Sequence, residues 1–276
     1  MSSTRSVARD RTPSSRDRSR PLALGVVAAL AGAAVLVQMA FPFTDGGTLP
    51  LTVASVLLLA GAAVGHALVV HGPRAALALV VVAGGGGLLA EVSGVHTGYP
   101  FGDYAYSGSL GLQVAGVPAL VPLAWVMMTW PALHVGRLLG GGRPVRTALV
   151  AAWALTSWDV FLDPQMVDAG HWTWTDPHPA LPGVEGIPLT NFAGWLVVSL
   201  VLCTVLDRLV RREHPIELLP LLVYLWTFFS SVLAHAFFFG RPSVALVGAL
   251  VMGVVAVPVA VVLVRRVRRA PPVRAR

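Results

Sequence analysis

The chain has 276 residues, of which 55% are hydrophobic and 12% are charged, and its mean hydropathy is +0.73. This composition excludes an ordinary soluble domain, in which about a quarter of the residues are charged. The formal net charge of +7 comes from arginine, because the sequence contains no lysine, and a single cysteine, Cys203, excludes a disulfide framework or a cysteine metal site within one chain.

The first 20 residues form an arginine-rich segment in which the basic residues alternate with serine, threonine and aspartate. Because this segment leads directly into an apolar run, we predict a disordered cytoplasmic tail and expect no nucleic acid as a partner. Residues 21–266 are predicted to form a single transmembrane helical domain. Residues 267–276 are predicted to form a second, basic cytoplasmic tail.

Eight apolar runs lie between these tails, and a membrane-spanning helix needs roughly 20 such residues. The runs cover about residues 22–41, 51–70, 75–92, 117–139, 148–162, 192–209, 218–239 and 243–264. The fifth run is short, which suits a helix that is tilted or partly buried. The sequence therefore predicts an all-α fold, a polytopic integral membrane helical bundle of about eight transmembrane helices.

The arginines support this number of spans. With a cytoplasmic N-terminus, 19 of the 20 arginines lie in the cytoplasmic tails and loops, and Arg241 is the exception. The positive-inside rule then predicts that both chain ends are cytoplasmic, and we expect the membrane to be a bacterial cell membrane. Two long loops, residues 93–116 and 164–190, fall on the opposite face, where a site is expected.

Four acids stand out near that face. Asp159 and Asp163 are four residues apart, so they share one face of the fifth helix, and Pro164 is predicted to end that helix. Glu91 closes the third apolar run, and Asp103 follows it in the first long loop. Intramembrane carboxyl groups are costly, so they indicate function unless they are paired or hydrated.

The chemistry predicted for these acids depends on the aromatic residues around them. Burial and a neighbouring carboxylate both favour the protonated form of an acid, which can then act as a general acid. Aromatic faces stabilise cations, so the site suits protonation of an alkene to a tertiary carbocation that water captures. The aromatic residues are Tyr99, Phe101, Tyr104, Tyr106, Trp158, Trp172, Trp174, Phe192 and Trp195.

Other chemistries lack their motifs. The sequence has no G-x-S-x-G nucleophile, no P-loop and no H-E-x-x-H, and an Asp-rich Mg²⁺–diphosphate site would need basic residues on the same face. We therefore expect no cofactor and no metal. His66 and His235 are predicted to be hydrogen-bonded core or interface residues. Four glycines, residues 84–87, predict close helix contact or a local break beside the site.

Four strings of the sequence resemble a known family. They are residues 91–107 (EVSGVHTGYPFGDYAYS), 117–125 (VPALVPLAW), 159–166 (DVFLDPQM) with 171–174 (HWTW), and 186–195 (GIPLTNFAGW). They resemble the carotenoid biosynthesis membrane protein family, whose characterised members are the CruF-type carotenoid hydratases. The resemblance implies cofactor-free addition of water to the terminal double bond of an acyclic ψ-end group. The product would be a tertiary alcohol, as in 1-hydroxylated or bacterioruberin-type C50 carotenoids.

The residues and the resemblance together predict a carotenoid hydratase with site segments 91–107 and 156–195. Asp159 or Glu91 is expected to donate the proton, and Asp163 to tune that acid or position water. The residues expected to bind the substrate, with Asn191 orienting water, are Asp103, Tyr104, Tyr106, Trp125, Trp172, Trp174 and Asn191. Expected partners are the carotenoid from the lipid bilayer, water, and other membrane enzymes of the carotenoid pathway.

Two alternatives stay open. A carotenoid end-group cyclase begins with the same protonation and excludes water. Heterodimeric membrane cyclases carry a P-x-E-[ED] signature that Pro215 and Glu217 match only in part, and Glu217 is predicted to cap a helix instead. A membrane transporter or a non-catalytic scaffold of pigment enzymes belongs to another class. A transporter would show acids near the midplane and inverted repeats, and neither is visible in the sequence.

Overall fold

The computed structural model describes residues 15–44, 48–212 and 216–269. Eight long helices follow one another within these ranges. They are α1 (Ser15–Met39), α2 (Leu49–His71), α3 (Pro73–Thr97), α4 (Leu120–Leu139), α5 (Pro144–Asp168), α6 (Leu189–Leu209), α7 (Leu218–Phe237) and α8 (Pro242–Arg269). Several begin with a proline in the first turn, where its fixed φ and missing N–H are tolerated.

Seven of the described helices are long and apolar enough to cross a membrane. The remaining long helix, α4, is central in the bundle, and every residue from 125 to 136 is buried. Because protein surrounds this stretch, it can carry polar residues such as Thr129 and His134. The prediction of an all-α polytopic membrane bundle is confirmed. The short fifth run becomes the 25-residue α5, which is largely buried.

Small residues allow the helices to pack closely, as is common in membranes, where lipid gives helices no hydrophobic reason to associate. A side chain at Gly136 would collide with Thr147, which shows how tightly α4 packs on α5. A Cβ at Gly87 would lie 2.5–2.9 Å from Trp125. The first two glycines of the run also end a π-helical turn, Val80–Gly85. Both predicted effects of the glycines, close contact and a local break, are present.

The two ends of the bundle gather different residues. At the loop end, the α3–α4 and α5–α6 connections cover the acids described below. At the basic end, Arg137 donates to Asp207 at 2.8 Å. The described chain begins and ends at the basic end, because eight helices cross the bundle in alternation. Arg241, the exception to the arginine pattern, is paired with Asp168 at the loop end. That the basic end is cytoplasmic stays a prediction.

Short strands in the two long loops were not predicted from the sequence. The α3–α4 loop contains β1 (Tyr104–Tyr106), β2 (Gln113–Val114) and β3 (Val117–Pro118). The α5–α6 loop contains β4 (Trp172–Trp174), β5 (Ala180–Leu181) and β6 (Val184–Pro188). Strand β1 pairs antiparallel with β4, whereas β2 with β3 and β5 with β6 form local hairpins. The β1–β4 pair joins loops that are far apart in sequence into one cover.

The prediction that Pro164 ends the fifth helix is wrong, because α5 continues to Asp168. A proline inside a helix removes one backbone hydrogen bond, but the residues after it remain anchored. Met166 is buried, and the amide of Ala169 bonds to the carbonyl of Gln165 at 3.1 Å. The packing of the last turn therefore outweighs the missing bond.

The ends of the transmembrane domain differ from the predicted bounds of 21 and 266. Helix α1 begins at Ser15, so residues 15–20 of the predicted disordered tail are helical. Helix α8 extends to Arg269. Once a helix is nucleated, each added residue contributes one more hydrogen bond at little cost, so spans extend beyond their apolar part. The rest of the two predicted tails lies outside the described residues.

Candidate active site

Four aromatic side chains form a cover over the acids. Strand period places alternate residues on one face, so Ala105 and Thr173 are exposed while their neighbours point inward. The β1–β4 register pairs each inward tyrosine with a tryptophan, and the ring centroids of the two pairs are 5.7 and 5.6 Å apart. We call the four inward residues the aromatic lid: Tyr104, Tyr106, Trp172 and Trp174.

Glu91, on α3, is the acid that the lid contacts most. Its Oε2 accepts hydrogen bonds from the hydroxyls of Tyr104 and, at 2.8 Å, Tyr106. Its Oε1 accepts one from the indole N–H of Trp125 at 3.1 Å. The carboxyl group is buried, with Glu91 5% exposed. An indole can only donate, and three converging donors suit a carboxylate.

The tyrosines are held in the form that donates. Burial raises the pKa of both Tyr104 and Tyr106, and the adjacent Glu91 charge raises it further. The phenols therefore stay neutral across the physiological pH range. Their hydrogens remain available to Glu91, so the lid and α3 act as one polar unit.

Asp159 and Asp163 form a second acidic group, on α5. The side-chain amide of Asn191, at the start of α6, donates to Asp159 at 2.9 Å and also to Asp163. The indole of Trp172 donates to the other oxygen of Asp163 at 3.1 Å. Asp159 is fully buried and Asp163 is 3% exposed. Among the described residues, Asp159 Oδ1 has no hydrogen-bond partner.

These groups surround a cavity of about 80 Å³. Glu91, Asp163, Asn191 and the whole aromatic lid line it, whereas Asp159 lies behind Asp163 and outside the lining. Trp125 and Trp195 form part of the wall, with their rings stacked 4.0 Å apart at an interplanar angle of 11°. The site is thus an aromatic chamber with one acid on α3 and an acid pair on α5.

A second cavity, of about 140 Å³, lies beside the first and shares Thr52, Val56 and Leu162 in its wall. It is more polar and is lined by buried Ser55 and His235. Within the described part of the chain, the Ser55 hydroxyl and both ring nitrogens of His235 have no hydrogen-bond partner. Unpaired groups of this kind are ready partners for water. His235 is therefore a buried core residue, as predicted, but the predicted hydrogen bond of its ring is not found among the described residues.

Comparison with protein families matches residues 51–269 to the family described as "Carotenoid biosynthesis protein". The chain belongs to this family. A curated relative, bisanhydrobacterioruberin hydratase of Haloarcula japonica, is 31% identical over 121 residues. The matched segment covers 42% of this chain and 40% of that relative, so the chain spans well under half of the relative's length in this match. No solved structure matches the chain.

The match to the carotenoid biosynthesis family contains the whole chamber and leaves out α1 entirely. All but one of the ten predicted site residues are brought together by the fold. Three of the nine, Glu91, Asp163 and Asn191, supply polar groups to the cavity, and Asp159 supports them from behind. The aromatic lid and Trp125 provide the other five.

Asp103 is the predicted site residue that lies elsewhere. It is exposed and does not line the cavity, because it immediately precedes Tyr104 and the alternation of β1 turns it outward. Its backbone carbonyl accepts the amide of Thr175 at 2.9 Å, so it braces the cover. The aromatic Tyr99 also stays outside, at 78% exposure.

Helix α2 and the first turns of α4 also contribute to the chamber, which was not predicted from the sequence. Thr52 and Val56 of α2, with Leu120, Val121 and Ala124 of α4, line the first cavity. In the sequence they are ordinary residues of apolar spans, and no local pattern separates a cavity wall from a lipid-facing surface. Only the packing of α2 beside α4 brings them to the site.

Two further predictions concern the basic end. His66 is hydrogen-bonded in the core, as predicted, because its Nδ1 accepts the indole N–H of Trp130 at 3.2 Å. Glu217 occupies the N-cap position of α7, as predicted, but its side chain makes no capping bond. Instead its carboxylate faces His71 and His134. Burial alone would raise the pKa of Glu217, but these two histidines outweigh it and hold the pKa below its ordinary value.

Proposed function

We propose that this protein adds water, without a cofactor, to the terminal double bond of an acyclic carotenoid end group and forms a tertiary alcohol. One observation carries the proposal: Asp163, whose amide partner it shares with Asp159 behind it, and the separate, donor-rich Glu91 line the same buried aromatic cavity. Family membership supports a role in carotenoid biosynthesis. The name of the Haloarcula japonica relative supports hydration as the reaction.

The proton donor in this proposal is Asp163. It lines the cavity, whereas Asp159 lies behind it and shares the same Asn191 amide. Two carboxylates that accept from one amide repel each other unless a proton is shared between them. The pair can therefore deliver that proton through Asp163 to the terminal alkene carbon. Asn191 is a positioning residue for the acids, a different role from the orientation of water expected from the sequence.

The cation that forms is stabilised by its surroundings. Protonation of the terminal double bond places the positive charge on the tertiary carbon, and the faces of the lid and of the stacked Trp125 and Trp195 stabilise such charge. Glu91 supplies a negative charge on the cavity wall. Water attacks the cation and gives up a proton to Glu91, which leaves the alcohol.

A return of the proton from Glu91 to Asp163 completes the cycle. The net reaction adds one water to one double bond, with no net oxidation or reduction of the substrate. Both acids line one cavity, so water in that cavity can carry the proton between them. No nucleotide, flavin or oxidant is needed for this balance.

The substrate is proposed to enter from the bilayer, and water from the second cavity. Leu120, Val121 and Ala124 are partly exposed and line the first cavity. An apolar polyene can leave the chamber across this wall, which leaves only its end group inside. The unpaired polar groups of Ser55 and His235 can hold water next to the reacting carbon.

The test is expression in a host that makes acyclic carotenoids with ψ end groups, followed by mass analysis of the pigments. We expect a gain of one or more waters, with heavy oxygen incorporated from H₂¹⁸O and activity in washed membranes without added cofactor. An Asp163→Asn protein at the same membrane level serves as the control and should leave the pigment unchanged. Label arriving from ¹⁸O₂ would contradict hydration, and altered absorption at unchanged mass would identify an end-group cyclase.

A further inference from the structure

Three buried side chains converge at the basic end, away from the chamber. His71 ends α2, His134 lies in the second half of α4, and Glu217 immediately precedes α7. The Nε2 atoms of the two histidines lie 2.9 and 3.0 Å from one oxygen of Glu217. The side chains are 1%, 4% and 5% exposed. One donor atom from each lies within 4.8 Å of the other two.

The hydrogen atoms in this cluster do not pair simply. His134 Nδ1 lies 2.8 Å from the carbonyl oxygen of Trp130, and because a carbonyl can only accept, Nδ1 must carry the hydrogen. A neutral His134 then has a lone pair on Nε2, which faces the Glu217 oxygen at 3.0 Å. Two facing acceptors at this distance would repel each other, so a cation lies between them, which is either a proton on Nε2 or a metal ion.

His66 adds a further acceptor to the same point. Its Nδ1 accepts the hydrogen of the Trp130 indole, yet it also lies 3.6 Å from the same Glu217 oxygen. His66 Nδ1, from α2, and His134 Nε2, from α4, therefore both lie close to the buried Glu217 carboxylate. This arrangement suits a cation bound next to the Glu217 oxygen that the histidines share.

We propose that His71 Nε2, His134 Nε2 and the Glu217 carboxylate bind one divalent transition-metal ion of the Zn²⁺ class. Imidazole nitrogen and carboxylate oxygen are ordinary ligands of this ion. The bond from His134 to the Trp130 carbonyl is the kind of outer contact that fixes the tautomer and orientation of a ligating histidine. No cysteine is required.

The rival explanation replaces the metal with a proton. In that case His134 would be an imidazolium ion paired with Glu217, and His71 would donate its own hydrogen to the same oxygen. One oxygen of Glu217 would then accept both buried donors, with His66 Nδ1 3.6 Å away and already accepting from the Trp130 indole. A divalent ion satisfies His71, His134 and Glu217 together, and buried charges are stable only when their partners are complete.

The proposed ion has a structural role. It would link the end of α2, the interior of α4 and the start of α7 at the end of the bundle opposite the aromatic lid. It contributes nothing to proton transfer in the chamber, so the metal site and the proposed hydration can fail independently of each other.

The experiment measures metal bound by the full-length chain, purified in detergent with a tag that contains no histidine. The protein is loaded with Zn²⁺, freed of unbound ion and assayed by mass spectrometry for metal per chain. We expect about one equivalent, as for one structural site, and a higher Tm that chelation reverses. Loading with Co²⁺ should give the d–d absorption of a site with nitrogen and oxygen ligands.

Two variants and a matched control complete the test. His134→Ala and Glu217→Gln should lose the bound ion and the rise in Tm on adding Zn²⁺. His235→Ala removes another buried histidine, at the loop end, and should retain both. Wild-type protein that retains neither Zn²⁺ nor Co²⁺ and shows no shift in Tm would overturn the proposal without any appeal to the variants. Turnover is not part of the readout, so the result does not depend on the proposed function.

Discussion

Three carboxyl groups of the chamber differ in how many donors they receive, and this difference separates their proposed roles. Glu91 accepts from two phenols and one indole. Asp163 accepts from an amide and an indole, whereas Asp159 accepts from the shared amide alone. A group with many donors is stabilised as an anion, and a group with few is the better place for a proton. The same residue type can therefore serve as base or acid within one cavity.

The first prediction is that Asp163→Asn, Asp159→Asn and Glu91→Gln each abolish hydration while the protein still accumulates in the membrane. Each amide keeps the shape of the acid but cannot exchange the proton, and general acid or base catalysis contributes about 10²–10⁴-fold. Pigment hydration per unit of membrane protein is the measurement. Asp176→Asn and Glu185→Gln, both exposed in the α5–α6 loop, are the controls and should be mild. Near-normal turnover in the three variants would place the chemistry elsewhere.

The second prediction concerns the phenols of the aromatic lid. Since burial and the Glu91 charge raise the pKa of Tyr104 and Tyr106, neither should ionise near the ordinary value of about 10. In the folded protein, Tyr104→Phe and Tyr106→Phe should leave the tyrosinate absorbance unchanged up to about pH 11. In denaturant, each variant should lose one of the four tyrosines.

The raised pKa of these two phenols also makes the stability of the folded protein depend on pH. A phenol whose folded pKa is raised contributes stability that is fully present below its unfolded pKa, so this contribution should fall as the pH rises above about 10. The alkaline loss should be smaller in the Tyr106→Phe protein than in wild type. A wild-type absorbance change that either substitution reduces in the folded state would mean that the lid phenols are accessible.

At the scale of elements, the sequence predicts the long helices well and the lid poorly. Apolar runs alone locate the spans, and the shared face of Asp159 and Asp163 follows from helical spacing. Strands β1 and β4 have three residues each and pair with each other across the two loops. A local sequence pattern is too short to predict such strands. The prediction that Pro164 ends the helix fails because the next helical turn is buried, and that packing cannot be predicted from the local sequence.

The third prediction uses two neighbouring glycines of α3. A Cβ at Gly87 would lie 2.5–2.9 Å from the Trp125 indole, whereas nothing lies within 4 Å of one at Gly85. Overpacking of this kind typically costs about 1–3 kcal/mol. Gly87→Ala should therefore displace Trp125 from Glu91, lower the Tm and reduce hydration. Gly85→Ala is the matched control, and equal behaviour of the two proteins would contradict this account of the glycine run.

At the scale of the whole molecule, charge and chemistry lie at opposite ends. Arg137, with Asp207, belongs to the basic end, and the acids of the chamber belong to the loop end. The distribution of arginines predicts this division, because the positive-inside rule depends on the charge of the loops and not on how the helices pack. The cavity walls could not be predicted the same way, since Thr52 and Val56 reach the site only through the packing of α2.

The fourth prediction is that both chain ends are cytoplasmic. Eight helices place the two ends on one side, and 19 of 20 arginines favour that side as the inner one. A reporter fused after Arg276 should be active only if it is of the type that works in the cytoplasm. A second reporter in the exposed α5–α6 loop, near Glu185, should show the opposite pattern. Activity of an extracytoplasmic reporter at Arg276 would reverse the orientation of the chamber.

The alternation of the β1–β4 pair limits how these loops can change in length during evolution. One additional residue between Thr173 and Trp174 would exchange the inward and outward faces of that strand beyond the insertion. An indole would then point to solvent and leave Tyr104 without its partner. An insertion of two residues would keep the same side chains pointing inward, but it would shift the register between β1 and β4. Length variation between relatives should therefore concentrate at the tips around Gly111 and Pro182, outside the ladder that joins the two loops.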